Sequence, residues 1–447
     1  MGLLEQVFEA GVVGAGGAGF PTHKKLTQVD LLIVNAAECE PLLASDRYVM
    51  RTFPDQIIDA VVQIRETFGI PRVVIGTKRH YAAEVKALQD AIGQRGGGIE
   101  LFLLDSFYPA GDEQVLIYEI TGQTVPPGGI PLQVGIVVVN VTTALNIHRA
   151  TQGKPVTRHY VTVTGEVAQP CLVDAPIGAT AADLIAAAGG ATVEPYAIVR
   201  GGPMMGRRHG QAEVAGLGYG KADGGLIVLP ADHPLIQFSQ KPIEHVINQA
   251  KSICIQCSLC TDMCPRYLIG HQMRPHRVMR SVATGQGAPD LLDALLCCEC
   301  GICEMYACPM GLSPRRMNIY VKGMLRSQGV GVQDKTVHPE QTRERDYRHI
   351  AQQRLIDRWE LDGYPTHLDQ VVTCEPDHVR LALRHGVGKP SAPRVAVGDK
   401  VAVGDVVAGV DFSEAGCLVH ASIGGVVTSV DDGWIDVAAA TGAGRTS

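Results

Sequence analysis

Cys254-Ile255-Gln256-Cys257-Ser258-Leu259-Cys260-Thr261-Asp262-Met263-Cys264-Pro265 is followed by a second run, Cys297-Cys298-Glu299-Cys300-Gly301-Ile302-Cys303-Glu304-Met305-Tyr306-Ala307-Cys308-Pro309. Their spaced positions use eight of the chain's 13 cysteines. In a Cys-x2-Cys-x2-Cys run the backbone curls so that three sulfurs reach three corners of one iron-sulfur cube. The fourth cysteine, before proline, then reaches the other cluster. Cys254, Cys257 and Cys260 are therefore expected to share a [4Fe-4S] cluster with Cys308, and Cys297, Cys300 and Cys303 to share one with Cys264. The second run has four residues before its last cysteine where three are usual, and Cys298 is an extra neighbour. Zinc is the alternative, since Cys-x2-Cys pairs also make tetrahedral sites. Three cysteines in tandem, closed twice by Cys-Pro, point instead to two iron-sulfur clusters and to electron transfer. Cys39, Cys171, Cys374 and Cys417 stand singly and read as small buried hydrophobes.

Working outward, residues 239–330 carry these cysteines on a helical background. Residues 1–155 read as an α/β domain: the β-rich runs Leu31–Val34, Val73–Gly76 and Ile136–Val139 are separated by helical stretches at Asp55–Thr67 and Ala82–Ile92. Residues 156–238 read as a mixed module with a strand at His159–Gly165, a helix at Ala181–Ala188 and a glycine-rich turn at Arg200–Gly206. Residues 331–370 form a polar connector, with Asp334–Arg358 expected to be solvated. Residues 371–447 carry Val397-Gly398-Asp399-Lys400-Val401 and Val403-Gly404-Asp405-Val406-Val407, a near-repeat of Gly-Asp turns between strands that suggests a small β barrel.

With 447 residues, 46% hydrophobic and 19% charged, the chain is too apolar for disorder and long enough for about three domains. Its net charge of -7 gives no reason to expect nucleic acid. No signal peptide opens it, and no apolar stretch is long enough to cross a bilayer. Clustered reduced cysteines fit a cytoplasmic setting. Leu3, Leu4, Val7 and Phe8 make a short amphipathic helix, read either as a core element or as a docking segment.

The amino-terminal loop Gly14-Ala15-Gly16-Gly17-Ala18-Gly19-Phe20-Pro21-Thr22-His23-Lys24-Lys25 lets the backbone approach a phosphate, with lysines nearby. A plain tight turn is the alternative. It is not a Walker loop, because no Gly-Lys-Ser/Thr ends it. Asn35-Ala36-Ala37-Glu38-Cys39-Glu40-Pro41 follows the first apolar strand, where open α/β sheets place their ligand crevice.

These motifs, with Tyr108-Pro109-Ala110-Gly111-Asp112-Glu113 and Asn140-Val141-Thr142-Thr143-Ala144, resemble the FMN- and NADH-binding subunit of respiratory complex I. They resemble still more the C subunit of the Rnf complex, along nearly the whole chain. The Gly201-Gly202-Pro203-Met204-Met205-Gly206 turn is similar to that of a β-grasp (SLBB) domain, and Ala392–Val430 to a barrel-sandwich domain. Here that last domain is carboxy-terminal rather than amino-terminal. That order, with the x4 spacing, resembles the cobalamin reductases of propanediol-utilising bacterial microcompartments.

The resemblance implies a multidomain α/β chain: a Rossmann-like FMN/NADH domain, an SLBB domain, an α-helical two-cluster ferredoxin-like domain and a carboxy-terminal barrel-sandwich hybrid. It implies that Gly14, Gly16, Gly17, Lys25, Asn35, Asn140 and Thr143 hold FMN. Phe20, Glu38, Glu40, Asp112 and Glu113 would line the NADH pocket. Complex I has Arg where Ala15 stands, an acid where Ala37 stands and Glu where Asp112 stands. The implied activity is NADH-dependent reduction of a corrinoid to cob(I)alamin through FMN and two [4Fe-4S] clusters. The implied partners are a cobalamin adenosyltransferase and a microcompartment shell protein. The competing readings are an Rnf-like subunit exchanging electrons between NADH and ferredoxin, and a non-catalytic electron-carrying scaffold. Barrel-sandwich domains also serve as biotinyl or lipoyl carriers, but Glu414-Ala415-Gly416-Cys417-Leu418 has no lysine for attachment, so docking or packing is expected.

Overall fold

Four apolar runs set the first layer. β1 (Leu31–Ala36), β2 (Arg72–Lys78), β3 (Ile99–Leu104) and β4 (Ile136–Asn140) form a parallel sheet in the order β3-β2-β1-β4 within a computed structural model that describes residues 1–95, 97–332 and 342–440. Their unbroken Val, Ile and Leu content suits strands covered on both faces. The helices Pro54–Phe68, Ala82–Arg95 and Val141–Thr151 cover one face, and Glu113–Thr121 covers the other. The chain order reverses between β1 and β4, where Asn35 stands opposite Asn140 at the strands' carboxyl ends. That reversal opens a crevice for a ligand. Leu3 and Val7 lie in the core beneath it and Phe8 in a neighbouring one, so the amino-terminal helix is a core element and not a free docking segment.

β5 (Arg158–Gly165), β6 (Cys171–Pro176), β7 (Tyr196–Arg200), β8 (Arg207–Gly210) and β9 (Gly225–Pro230) build a second sheet. A distant strand, β10 (Val371–Thr373), completes its order β10-β6-β5-β9-β7-β8. Leu184 and Ile185 of the helix Ala181–Ala187 fill its core.

The cysteine region is helical. Ile243–Ile253, Pro275–Thr284 and Pro314–Ser327 close around Val246, Ala250, Met279, Leu312 and Met317. The two cysteine runs repeat one backbone device: Gln256 and Ser258 in the first, Glu299 and Gly301 in the second, all adopt φ between +54° and +86°. Three of these four are not glycine, so each run is held in a conformation that ordinary residues avoid. The second run's extra residue is absorbed by a π-helical turn, Cys303–Ala307, which lets Cys308 regain its place.

The connector departs from the solvated reading. Ile350, Leu355, Ile356, Trp359 and Leu361 are buried in one core with Tyr108, Met204, Ile227, Ile302 and Met305, which joins three parts of the chain. Trp359 Nε1 and Arg358 Nε both donate to the Met305 carbonyl inside the π turn, at 2.9 and 3.0 Å. The apolar positions are masked in the sequence by the Arg, Gln and His residues around them. Residues 333–341, part of the same expectation, lie outside the described residues.

The last domain pairs β11 (His378–Ala382), β13 (Lys400–Val401), β16 (Gly425–Val430) and β17 (Trp434–Ala439) in one sheet. β12 (Ala392–Pro393), β14 (Val406–Gly409) and β15 (Val419–His420) make the other. The near-repeat is two copies of one turn: Asp399 accepts the Ala396 amide at 2.8 Å and Asp405 the Ala402 amide at 2.7 Å, with Gly398 and Gly404 at positive φ. No helix among the described residues is long and apolar enough to cross a membrane.

Trp359→Ala removes a buried ring and the donor to the π turn, and costs about 3–5 kcal/mol. Trp359→Phe keeps most of the volume and costs about 1 kcal/mol for the lost hydrogen bond. Denaturant midpoints of anaerobic protein check the order; equal midpoints would contradict the clamp.

Candidate redox site

At the crevice, Asn140 ends β4 and caps the helix Val141–Thr151, its Oδ1 accepting the amides of Thr142 and Thr143. Its Nδ2 donates to Asp46 at 2.7 Å, and Thr142 Oγ1 donates to the other oxygen of Asp46. The Thr143 hydroxyl accepts the Ala15 amide at 2.8 Å, which draws the glycine loop over the strand end. A Cβ on Gly16 would stand 3.5 Å from the Asn140 side chain, whereas Gly17 faces open space at φ +101°. The amides of Gly16, Gly17 and Ala18 find no acceptor among the described residues. A side-chain-free loop with unspent N–H groups at a switch point suits the phosphate of a mononucleotide.

Asn35 donates from Nδ2 to the Gly111 carbonyl at 2.9 Å and accepts the Ala37 amide, which ties β1 to the Tyr108–Glu113 segment. Lys25 and Glu113 pair at 2.8 Å on the rim. Phe20 is exposed, its carbonyl accepting from Gly14. Glu38 is half-buried, and its carboxyl is raised to about 8, first by burial and then by the like charges of Asp46 and Glu40. The Glu40 carboxylate is already engaged: it accepts the Met204 and Met205 amides, each at 2.9 Å. A Cβ on Gly202 would collide with it. Asp112 caps the helix Glu113–Thr121 and pairs with Arg266 at 2.9 Å. The crevice thus gathers Gly14, Gly16, Gly17, Asn35, Asn140 and Thr143. Glu40 and Asp112 point instead into the seams with the neighbouring domains.

The thiols fall into two adjacent groups. Burial first, and then the thiols of Cys308, Cys254 and Cys257, raise the Cys260 thiol to about 12. Cys264 is raised by burial and then by Cys298 and Cys297, and Cys303 by burial and, among others, by Cys297, Cys264 and Cys260. A small pocket is lined by Cys264, Cys297, Cys298, Cys300 and Cys303, with Pro265, Arg315 and Asn318 among its other walls. The amides of Glu299 and Leu312 point at the sulfurs of Cys297 and Cys308, each at 3.4 Å. Buried thiols that resist ionising in each other's company, beside N–H donors, suit an iron-sulfur core that supplies the missing positive charge. The group with Cys254 and Cys257 lies nearer the surface, Cys257 being exposed.

Three residues here escaped the reading of the sequence as site residues. Asp46 carries no local motif and acts through Asn140. Arg266 follows Cys264-Pro265 directly, is buried, and reaches the Cys298 thiol as well as Asp112. Asn318 lies far along the chain and shows its place only in the fold.

A crevice for a flavin nucleotide joined to two thiol cages defines a flavin- and iron-sulfur-dependent electron-transfer protein. The profile of the Nuo51 FMN-binding domain matches residues 7–149, the SLBB domain 160–208, the 4Fe-4S dicluster domain 253–313 and the RnfC barrel sandwich hybrid domain 367–442. Cobalamin reductase PduS of Citrobacter freundii is 42% identical over 440 residues, 97% of this chain and 96% of that protein. PduS of Salmonella typhimurium is 42% identical over 441 residues, again 97% of this chain and 96% of that protein. The C subunit of the Na(+)-translocating ferredoxin:NAD(+) oxidoreductase complex of Acetobacterium woodii is 32% identical over 273 residues, 60% of this chain and 58% of that protein. The chain belongs to the PduS family of cobalamin reductases.

Because its folded value lies above the ordinary 4.5, Glu38 contributes stability that is complete below pH 4.5 and is lost as pH rises through about 8. Glu38→Gln removes that slope. Stability against pH, measured on cluster-loaded protein without nicotinamide, should be flatter for the variant across that interval, and parallel curves would contradict the raised carboxyl.

Proposed function

We propose that the chain is an NADH-dependent corrinoid reductase, taking two electrons as one hydride at the flavin crevice and delivering them singly to cobalamin. One observation carries the reading. The segment Tyr108–Asp112 touches both halves of the route: Gly111 accepts from Asn35 in the crevice, while Tyr108 Oη donates to the Cys300 carbonyl at 2.8 Å. When bound, flavin accepts two electrons together and releases them one at a time to iron-sulfur cubes, which carry one each.

The residues then act in sequence. Gly14, Gly16 and Gly17 cradle the phosphate. Asn35, Asn140 and Thr143 fix the loop and strand ends against which the ring lies. Lys25 stands on the flavin side, and Phe20, Glu38 and Glu113 border the nicotinamide side. Cys264, Cys297, Cys300 and Cys303 hold the inner cluster and Cys254, Cys257, Cys260 and Cys308 the outer one. Ser252, Ile253, Ile255, Gln256 and Cys257 of the outer loop are exposed, which makes it the exit. The domains proposed are 1–155, 156–238, 239–330 and 371–447, with residues 331–370 as the clamp between them. The product is cob(I)alamin, passed to a cobalamin adenosyltransferase within a bacterial microcompartment whose shell protein anchors the reductase. The near full-length identity to cobalamin reductases supports the corrinoid substrate.

Anaerobically isolated protein should hold flavin and about eight iron atoms per chain, and NADH should bleach both chromophores. Cys300→Ala should still bleach flavin with NADH but lose corrin reduction to the background rate. Unchanged corrin reduction in that variant would overturn the route, and colourless zinc-loaded protein would overturn the site.

A further inference from the structure

The helix Pro314–Ser327 turns one polar stripe toward the Cys297 loop. Arg315, Asn318 and Lys322 follow at intervals of three and four residues and so share a face. Lys322 Nζ donates to the Cys297 carbonyl and to Glu299, each at 2.8 Å. Arg315 pairs with the buried Glu304, but its Nε has no partner. Asn318 is fully buried, and neither its Nδ2 nor its Oδ1 has a hydrogen-bond partner. An amide left so in an apolar interior costs about 1–3 kcal/mol, and a folded chain rarely tolerates it without a reason. Arg315 and Asn318 both line the thiol pocket.

We propose that Asn318 is a positioning residue of the inner cluster, its side-chain N–H donating to a cluster sulfur and setting the potential at which that cluster accepts an electron. This rests on the assignment of Cys264, Cys297, Cys300 and Cys303 as its ligands. A cluster sulfur only accepts, so Nδ2 is the atom that faces it. Donors to sulfur stabilise the reduced cluster, whose charge is one unit more negative, and so raise its potential. No bond to iron forms or breaks; the group acts through its dipole alone. Nothing comparable stands at the outer loop, where the one side-chain donor to a ligand sulfur among the described residues is the exposed Gln256, 3.2 Å from Cys254 Sγ.

The test is a redox titration of holoprotein followed by electron paramagnetic resonance. Asn318→Leu keeps the volume and removes the donor, so the inner cluster's midpoint moves to more negative potential while the outer one stays. Asn318→Ala, which withdraws the donor by truncation, moves it in the same direction. Unmoved midpoints in variants with full iron content would overturn the proposal. Should either variant fail to load, wild-type protein labelled with 15N-asparagine decides: pulsed spectroscopy of the reduced inner cluster shows a nitrogen coupling if the bond exists, and its absence overturns the proposal. Wild-type protein lacking the inner cluster altogether would instead refute the ligand assignment, a separate outcome visible in the iron count.

Discussion

Arg266 is nearly buried, and its nearest balancing charge, Asp112, belongs to another domain. An electron passes between cofactors at a rate set by their separation, so the sheet domain and the cysteine domain cannot be allowed to drift. A desolvated ion pair holds them in one register, because separating it would leave both charges buried and unpaired. Tyr108 adds a buried hydrogen bond to Cys300 across the same seam, and the core shared by Tyr108, Cys300, Ile350 and Trp359 closes around it. The seam adds geometry more than stability, since buried ion pairs seldom exceed well-packed apolar groups in net worth.

Much of this was legible in the sequence because it was written locally. The tandem cysteines, the Gly-Asp turns and the β-rich runs each specify their own conformation within a few residues. The π turn was visible only as a surplus residue between Cys303 and Cys308; its meaning depended on the Met305 carbonyl finding Trp359, more than fifty residues on. The connector misled because polar composition outweighed a few apolar positions, and burial follows position rather than average. Asp46, Arg266 and Asn318 were silent for the same reason: each is an ordinary residue whose importance comes from what the fold places opposite it.

The carboxy-terminal domain is more than an appendage. Its Gly386 packs against Gly19, where an added Cβ would come within 2.9 Å of it, and Val387 donates to the Ala18 carbonyl. The glycine loop is therefore bounded on one side by Thr143 and Asn140 and on the other by the barrel. Lys221, from the β-grasp domain, is buried where the three parts meet and donates to the carbonyls of Gly11 and Leu418. Two backbone acceptors partly offset the burial of an ammonium group, and burial pulls its pKa below the usual lysine range. A polar bond with strict geometry at that point selects one arrangement of three domains where apolar contacts alone would permit sliding.

The two thiol cages share a backbone curl yet stand in opposite surroundings. Arg266, Arg315 and Lys322 stand around the inner loop, each paired with an acid, Asp112, Glu304 and Glu299, whereas residues 252–258 and 309–311 of the outer one carry no charged side chain. Paired charges leave no net charge beside the inner thiols, so the two positions differ in burial and in hydrogen-bond donors to sulfur. The Cys254 loop instead presents Ile253, Ile255 and Met310 to solvent. Lys251, next to that loop, is exposed as well, so the rim is apolar with a basic residue at its edge. The exposed Cys257 is open to an acceptor arriving from solvent, while Cys264, Cys300 and Cys303 are buried.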